Sequence, residues 1–285
     1  MRVEGSTGAF AGQPNARPAT TRPVVQLMGR PFIELAPGVW AATSRRYWTT
    51  STALLDGSGD AIVVDPAWDP DELAAIPAFL AERGVRCVAG LATHEHYDHV
   101  LWHPDLGEVP RWASERTVVD LARDRERLLA PLAEFLTPDL IDIAGRLDVL
   151  AGDLVPWDGP TARVVRHDAH APGHLAVLIE ECGVLLAGDM LSDIELPMPA
   201  DDDLTLDTYL AGLTSLADAV RVSSVVVPGH GTPSRRPIER LDADLRYLDD
   251  LLSGRISDDP RIGDPENAAL HAANQARARR SRGDG

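Results

Sequence analysis

Six consecutive positions, His94-Glu95-His96-Tyr97-Asp98-His99, carry three imidazoles and two carboxylates. The stretch before them, "VRCVAGLAT" at 85–93, reads as a buried strand. Donors crowded at the end of such a strand suit a metal ion. Imidazole nitrogen meets zinc at ~2.0–2.1 Å and carboxylate oxygen at about 2.0–2.2 Å. On an extended segment, His94 and His96 lie two residues apart and point the same way. Asp98 and His99 follow closely enough to serve a second ion nearby. Without a cation, so many polar groups at a strand end would be costly to bury.

The remaining donors are spread along the chain. Of nine histidines, His174 stands in "HAPGHLA" and His230 in "VPGHGTP", while Asp189 closes "LLAGD". Each is placed beside the end of a strand, where α/β folds collect functional groups. His103, His167, His170 and His271 are read as ordinary hydrogen-bonded histidines, and Glu95 as a surface residue or a neighbour of the ligands.

These residues need a scaffold, and the pattern supplies one. Strands are expected at 38–44, 51–57, 61–66, 85–93, 162–169, 176–181, 183–189 and in 223–231. Helices are expected at 69–84, 114–136, 204–220, 237–254 and 265–280. Asp69 and Ser114 are the expected N-caps of the first two, and Pro77 should kink or split the first. The run Asp201 to Asp203 is read as an N-cap cluster for the third. Strands punctuated by helices imply an α/β layered fold.

Composition narrows the function classes. The chain has 285 residues, 44% hydrophobic and 25% charged, as in ordinary globular proteins. No apolar run approaches the ~18 residues of a membrane span, and the start has no secretory signal core. The net charge of −17 opposes nucleic-acid binding, which rests on clustered cations. Every basic residue is arginine, so no mechanism here uses a lysine. Cys87 and Cys182 are read as core or near-core thiols of a cytoplasmic protein.

The ordered set His94-x-His96-x-Asp98-His99, His174, Asp189, His230 resembles the metallo-β-lactamase-fold hydrolases over roughly residues 35–255. That resemblance implies an αββα four-layer sandwich with two divalent metal ions at one edge, zinc foremost, manganese or iron as alternatives. It implies His94, His96 and His174 around the first ion, and Asp98, His99 and His230 around the second, with Asp189 bridging. Asp65, ending "AIVVD", matches an aspartate that would orient a ligand. It also suggests a division into a disordered leader at 1–30, a metallo-hydrolase domain at 31–255 with a helical insertion at about 103–160, and a C-terminal helix and basic tail at 256–285.

Within the family, aspartate at position 189 departs from the β-lactamases with cysteine there. His96 departs from the diiron branch with glutamate there. The pattern is similar to the glyoxalase II and lactonase-like branch. This implies a hydrolase in which a dinuclear metal-bound hydroxide, oriented by Asp98, cleaves an ester, lactone or thioester of a small molecule. A mononuclear-iron persulfide dioxygenase-like oxidoreductase and a nuclease of the same fold are the alternatives. The segment "SRRYWTT" at 44–50 offers substrate contacts: Arg45 or Arg46 for a carboxylate, Tyr47 or Trp48 for stacking. A homodimer is possible.

Overall fold

The computed structural model describes residues 31–200 and 203–283. The expected leader and the residues Asp201 and Asp202 lie outside the described residues. The elements run β1 (Ile33–Ala36), β2 (Val39–Thr43), β3 (Thr50–Leu55), β4 (Asp60–Val64), α1 (Pro70–Glu82), β5 (Arg86–Leu91), β6 (Arg111–Ala113), α2 (Glu115–Leu129), α3 (Pro138–Ile143), β7 (Asp148–Val149), β8 (Ala162–His167), β9 (His174–Ile179), β10 (Val184–Gly188), α4 (Leu206–Val222), β11 (Val225–Pro228), α5 (Pro237–Leu252) and α6 (Ala268–Arg282).

Two sheets form the centre. One orders β1 to β7 sequentially, and the other runs β11-β10-β9-β8. Their strands alternate between two apolar faces, as a period of two residues requires. Ile62 and Val64 of β4 meet Val164, Leu175, Val177, Val184, Leu186 and Val225 between the sheets. Ala61 and Val63 point the other way, onto Leu73, Ile76 and Leu80 of α1 and Leu121 of α2. In the second sheet, Ala176, Leu178, Leu185, Ala187 and Val226 face Tyr209 and Leu213 of α4, Tyr247 and Leu248 of α5, and Ala278 of α6. The result is the expected αββα sandwich. Three separate apolar layers, each of many fully buried side chains, hold it together at about 25 cal/mol per Å² of apolar surface removed from water.

Local differences from the sequence reading have physical causes. α1 continues through Pro77 instead of splitting there. The ring forgoes one hydrogen bond to Leu73, while Ile76, Phe79 and Leu80 around it are buried in the core. Asp69 precedes α1 without capping it; its carboxylate is taken by Arg46 at 2.9 Å. Ser114 does cap α2, accepting from Thr117 N. α4 is capped by Thr205, whose hydroxyl accepts from Thr208 N. The segment 103–160 carries two short strands, β6 and β7, besides its helices, and they extend the first sheet. Both are too short to leave an alternating pattern.

Candidate metal centre

Every expected donor lies at the same end of the strands. β4 and β5 are parallel, with Val64 opposite Leu91, so Asp65 and the His94–His99 loop emerge side by side. β10 and β11 are parallel too, with Gly188 opposite Pro228, which places Asp189 beside His230. The two sheets are clasped at this edge. Thr50 N donates to Gly229 O at 2.7 Å and Gly231 N to Trp48 O at 3.0 Å.

Donor atoms of His94, His96, His170 and Asp189 lie within 4.8 Å of one another, as do those of Asp98, His99 and His230. Around the first group, His94 Nε2 and His170 Nε2 each stand 3.0 Å from His96 Nδ1. Asp189 Oδ2 stands 3.5 Å from His94 Nε2 and 3.3 Å from His170 Nε2. In the second, His99 Nε2 and His230 Nε2 are 3.3 Å apart, and Asp98 Oδ2 is 3.3 Å from His230 Nε2. Asp189 reaches both groups: its Oδ1 is 3.1 Å from His99 Nε2 and its Oδ2 3.3 Å from His230 Nε2.

These spacings fit metal ions. Tetrahedral nitrogen donors ~2.0–2.1 Å from zinc are roughly 3.3–3.4 Å apart. The outward nitrogens of the rings are fixed by the protein. His99 Nδ1 donates to Asp65 Oδ2 at 3.0 Å, His170 Nδ1 to Met198 O at 2.8 Å, and His230 Nδ1 to Tyr47 O at 2.7 Å. Thr93 Oγ1 donates to Asp65 Oδ2 at 2.7 Å, so it accepts from His94 Nδ1 at 3.0 Å. In its neutral form each of these rings turns an unprotonated Nε2 inward. Such lone pairs facing one another repel unless a cation lies among them.

The electrostatics divide the imidazoles into two kinds. Burial, aided by neighbouring imidazoles, holds His94 well below the usual histidine range and His170 at about 3, so both rings are neutral donors. His99 and His230 are equally buried, but the carboxylates of Asp189 and Asp98 outweigh burial and lift both well above it. Asp189 and Asp98 are themselves held below the carboxylate range, because the imidazoles outweigh the cost of burial. Burial lifts the carboxyl of Glu195, across from His230, to about 7.

One expected donor is corrected. His174, read as the third nitrogen of the first group, is not among the converging atoms; His170 stands there instead. His174 is the first residue of β9, paired with His167 of β8, and the strand fixes its direction. Its Nε2 accepts from Asp189 N at 3.1 Å, and its ring stacks behind His94 with centroids 4.8 Å apart. It therefore supports the backbone of a donor. His170 belongs to the loop between β8 and β9, and loop position is the signal that separates the two.

The segment 44–49 is placed over this edge, yet its arginines are engaged elsewhere. Arg45 pairs with Asp71 at 2.7 Å and Arg46 with Asp69, both at the start of α1. The Arg46 guanidinium also lies 4.0 Å from the Phe135 ring centroid. Tyr47 and Trp48 are exposed, both at positive φ. Their contribution is the backbone: Tyr47 O holds His230, and Thr49 Oγ1 lies 3.2 Å from Asp98 Oδ2. A further requirement sits in "PGH": a Cβ on Gly229 would come 2.0 Å from Asp189 Oδ1. Only glycine permits that approach.

Residues 46–259 match the family model of the metallo-beta-lactamase superfamily. The chain belongs to this superfamily. A metallo-beta-lactamase from Pontibacter korlensis superposes with a TM-score of 0.60 at 18% identity, covering 77% of this chain and 98% of that one. A metallo-beta-lactamase family protein from Thermus thermophilus gives a TM-score of 0.58 at 23% identity, covering 78% and 82%. Those likenesses concern the fold. Among curated superfamily relatives, a hydroxyacylglutathione hydrolase of Synechococcus sp. (strain CC9605) is 33% identical over 120 residues, 42% of this chain and 40% of the relative. Another, from Anaeromyxobacter dehalogenans (strain 2CP-C), is 37% identical over 151 residues, 52% and 48%. The Lactamase-like protein aptB of Emericella nidulans is 30% identical over 185 residues, 63% and 51%. The chain spans about half or less of the length of these curated relatives. Among the described residues, no helix is long and apolar enough to cross a membrane.

Proposed function

We propose that this protein is a metal-dependent hydrolase of ester or thioester bonds. It holds one divalent ion with His94, His96 and His170, a second with Asp98, His99 and His230, and uses Asp189 between them. The observation that carries the reading is the meeting of seven donor atoms, nearly all buried, in two groups of metal-ligand spacing. Support for the reaction class comes from the relatives named hydroxyacylglutathione hydrolase.

Ions held here would supply Lewis acidity toward a carbonyl oxygen and lower the pKa of water from 15.7 towards ~7. The chain's own residues set the conditions for that chemistry. Asp65, Thr93, Met198 O and Tyr47 O fix the imidazole orientations before any ion arrives. Asp98 belongs to the second group, its Oδ2 beside Thr49 Oγ1 and His230 Nε2. From there its carboxylate can orient an attacking water and accept its proton. The burial of His94, His99 and His170 keeps bulk water from competing for their nitrogens.

The test is to purify the protein without chelator, count bound metal, and assay a panel of esters, lactones and thioesters. Two ions per chain and hydrolysis that is lost with Asp98→Ala are expected. A metal-free protein, or one iron with oxygen consumption and no hydrolysis, would overturn the reading.

A further inference from the structure

A cavity of about 310 Å³ opens beside the metal centre. His96 belongs to both. One wall is the His94–His99 loop; another is α2, which presents Arg116, Asp120, Arg123 and Arg127. These four follow one another by four, three and four residues, so they form one stripe of the helix. Ala200, two residues beyond the carbonyl that holds His170, closes a third side.

Three guanidiniums in one cavity stand out in a chain of net charge −17. The cavity's acidic lining is Glu95 and Asp120. Asp120 is buried, and its single carboxylate is shared: Arg116 Nε approaches Oδ2, and Arg123 Nη1 is 3.0 Å from Oδ1. Arg116 is thus held through Nε, leaving its two terminal amino groups for another acceptor. Arg127 reaches Asp124 at 3.6 Å, too long for a hydrogen bond. The side chains of Arg116, Arg123 and Arg127 are 55%, 59% and 73% exposed; Arg116 is anchored through Nε, Arg123 through Nη1 to Asp120 and through Nε to Asp124 Oδ2 at 2.9 Å, and Arg127 is the least held of the three. An arginine fork fits the paired oxygens of a carboxylate or phosphate.

From this we propose that α2 is the substrate-recognition element. Arg116, Arg123 and Arg127 bind an oxyanion carried by the substrate, a carboxylate or a phosphate, while the scissile carbonyl lies at the His96 side of the cavity. The inference rests on the hydrolase reading and deepens it: the substrate class is an anionic thioester or ester. Ion pairs serving only to stabilise the helix would not distinguish one substrate from another.

The experiment uses the metal-loaded full chain and four thioesters: butyryl-N-acetylcysteamine, which is neutral; succinyl-N-acetylcysteamine and butyrylglutathione, which carry carboxylates; and butyryl-coenzyme A, which carries phosphates. Wild type is compared with Arg123→Gln/Arg127→Gln, with Arg116→Gln, and with the charge-keeping Arg123→Lys/Arg127→Lys. For at least one anionic substrate, kcat/KM should fall on the order of 10- to 100-fold in the glutamine variants, mainly through KM. It should recover in part with lysine, and the neutral substrate should change less than about threefold. The substrate that responds tells carboxylate from phosphate. An equal loss on all four substrates with metal content intact, or no loss on any, overturns the proposal while leaving the hydrolase reading in place. If wild type cleaves none of the four, the esters and lactones of the wider panel decide the hydrolase reading. Calorimetry with S-methylglutathione and inorganic phosphate then decides the anion site: weaker binding in the glutamine variants upholds it, and equal or absent binding in both proteins overturns it.

Discussion

His170 and His174 stand four residues apart in one histidine-rich stretch, and a pair of substitutions separates their roles. His170→Ala removes one of four donors from the first group, whose Nε2 sits 3.0 Å from His96 Nδ1 and 3.3 Å from Asp189 Oδ2. His174→Gln leaves all those donors in place. It disturbs one hydrogen bond, from Asp189 N at 3.1 Å, and the stacking of the ring behind His94. Losing a supporting contact around a ligand costs about 10–100-fold in metal affinity. Losing a ligand itself should exceed that range. The hydrogen bond is worth about 0.5–1.5 kcal/mol and the packing a similar amount, so His174→Gln should lower stability by roughly 1–3 kcal/mol. The assay is competition with a chromophoric chelator, followed to measure both stoichiometry and affinity, alongside chemical denaturation. His170→Ala should bind one ion per chain at the affinity of the second group. His174→Gln should keep two, with a lower denaturation midpoint. If His174→Gln loses an ion while His170→Ala keeps both, the assignment of the third imidazole is wrong.

Three other substitutions or treatments probe separate parts of the structure. Asp65→Asn weakens the acceptor for His99 Nδ1 and Thr93; affinity at the second group should fall about 10–100-fold, read by the same chelator competition. Gly229→Ala places a methyl group 2.0 Å from Asp189 Oδ1; metal content should drop although thermal unfolding shows a folded protein, and unchanged metal binding would contradict the packing described. Cys87 is pushed up to about 12 by burial, and thiolate is the reactive form. At pH 8 its alkylation in the native protein should be on the order of a thousandfold slower than in denaturant. The native rate should climb as pH rises towards that value, because deprotonation is what burial opposes.

The sequence determined a good deal by itself. Short apolar runs bounded by turn residues marked β3, β4, β9 and β10, and the runs are unbroken because each face of these strands meets a different apolar layer. The cluster His94–His99 was legible because donors two and three residues apart on one loop need no tertiary information to be neighbours. Asp189 and His230 were legible because each stands within two residues of the end of an apolar strand, and parallel pairing brings such ends together; Asp65 was reached through the family resemblance.

Tertiary structure decided the rest. Whether His170 or His174 points inward depends on where the turn before β9 ends, a shift of a few residues that composition cannot register. Arg45 and Arg46 had equal reason to face a substrate or Asp69 and Asp71, and only the approach of α1 settled it. The acceptors that set the ring tautomers include Tyr47 O and Met198 O, backbone carbonyls available on any residue type. The arginine stripe on α2 reads in sequence as a solvated helix face. It becomes the lining of a cavity because the His94–His99 loop folds against it. Residue type fixes which chemistry is available; the packing of the layers fixes which groups share a volume small enough to perform it.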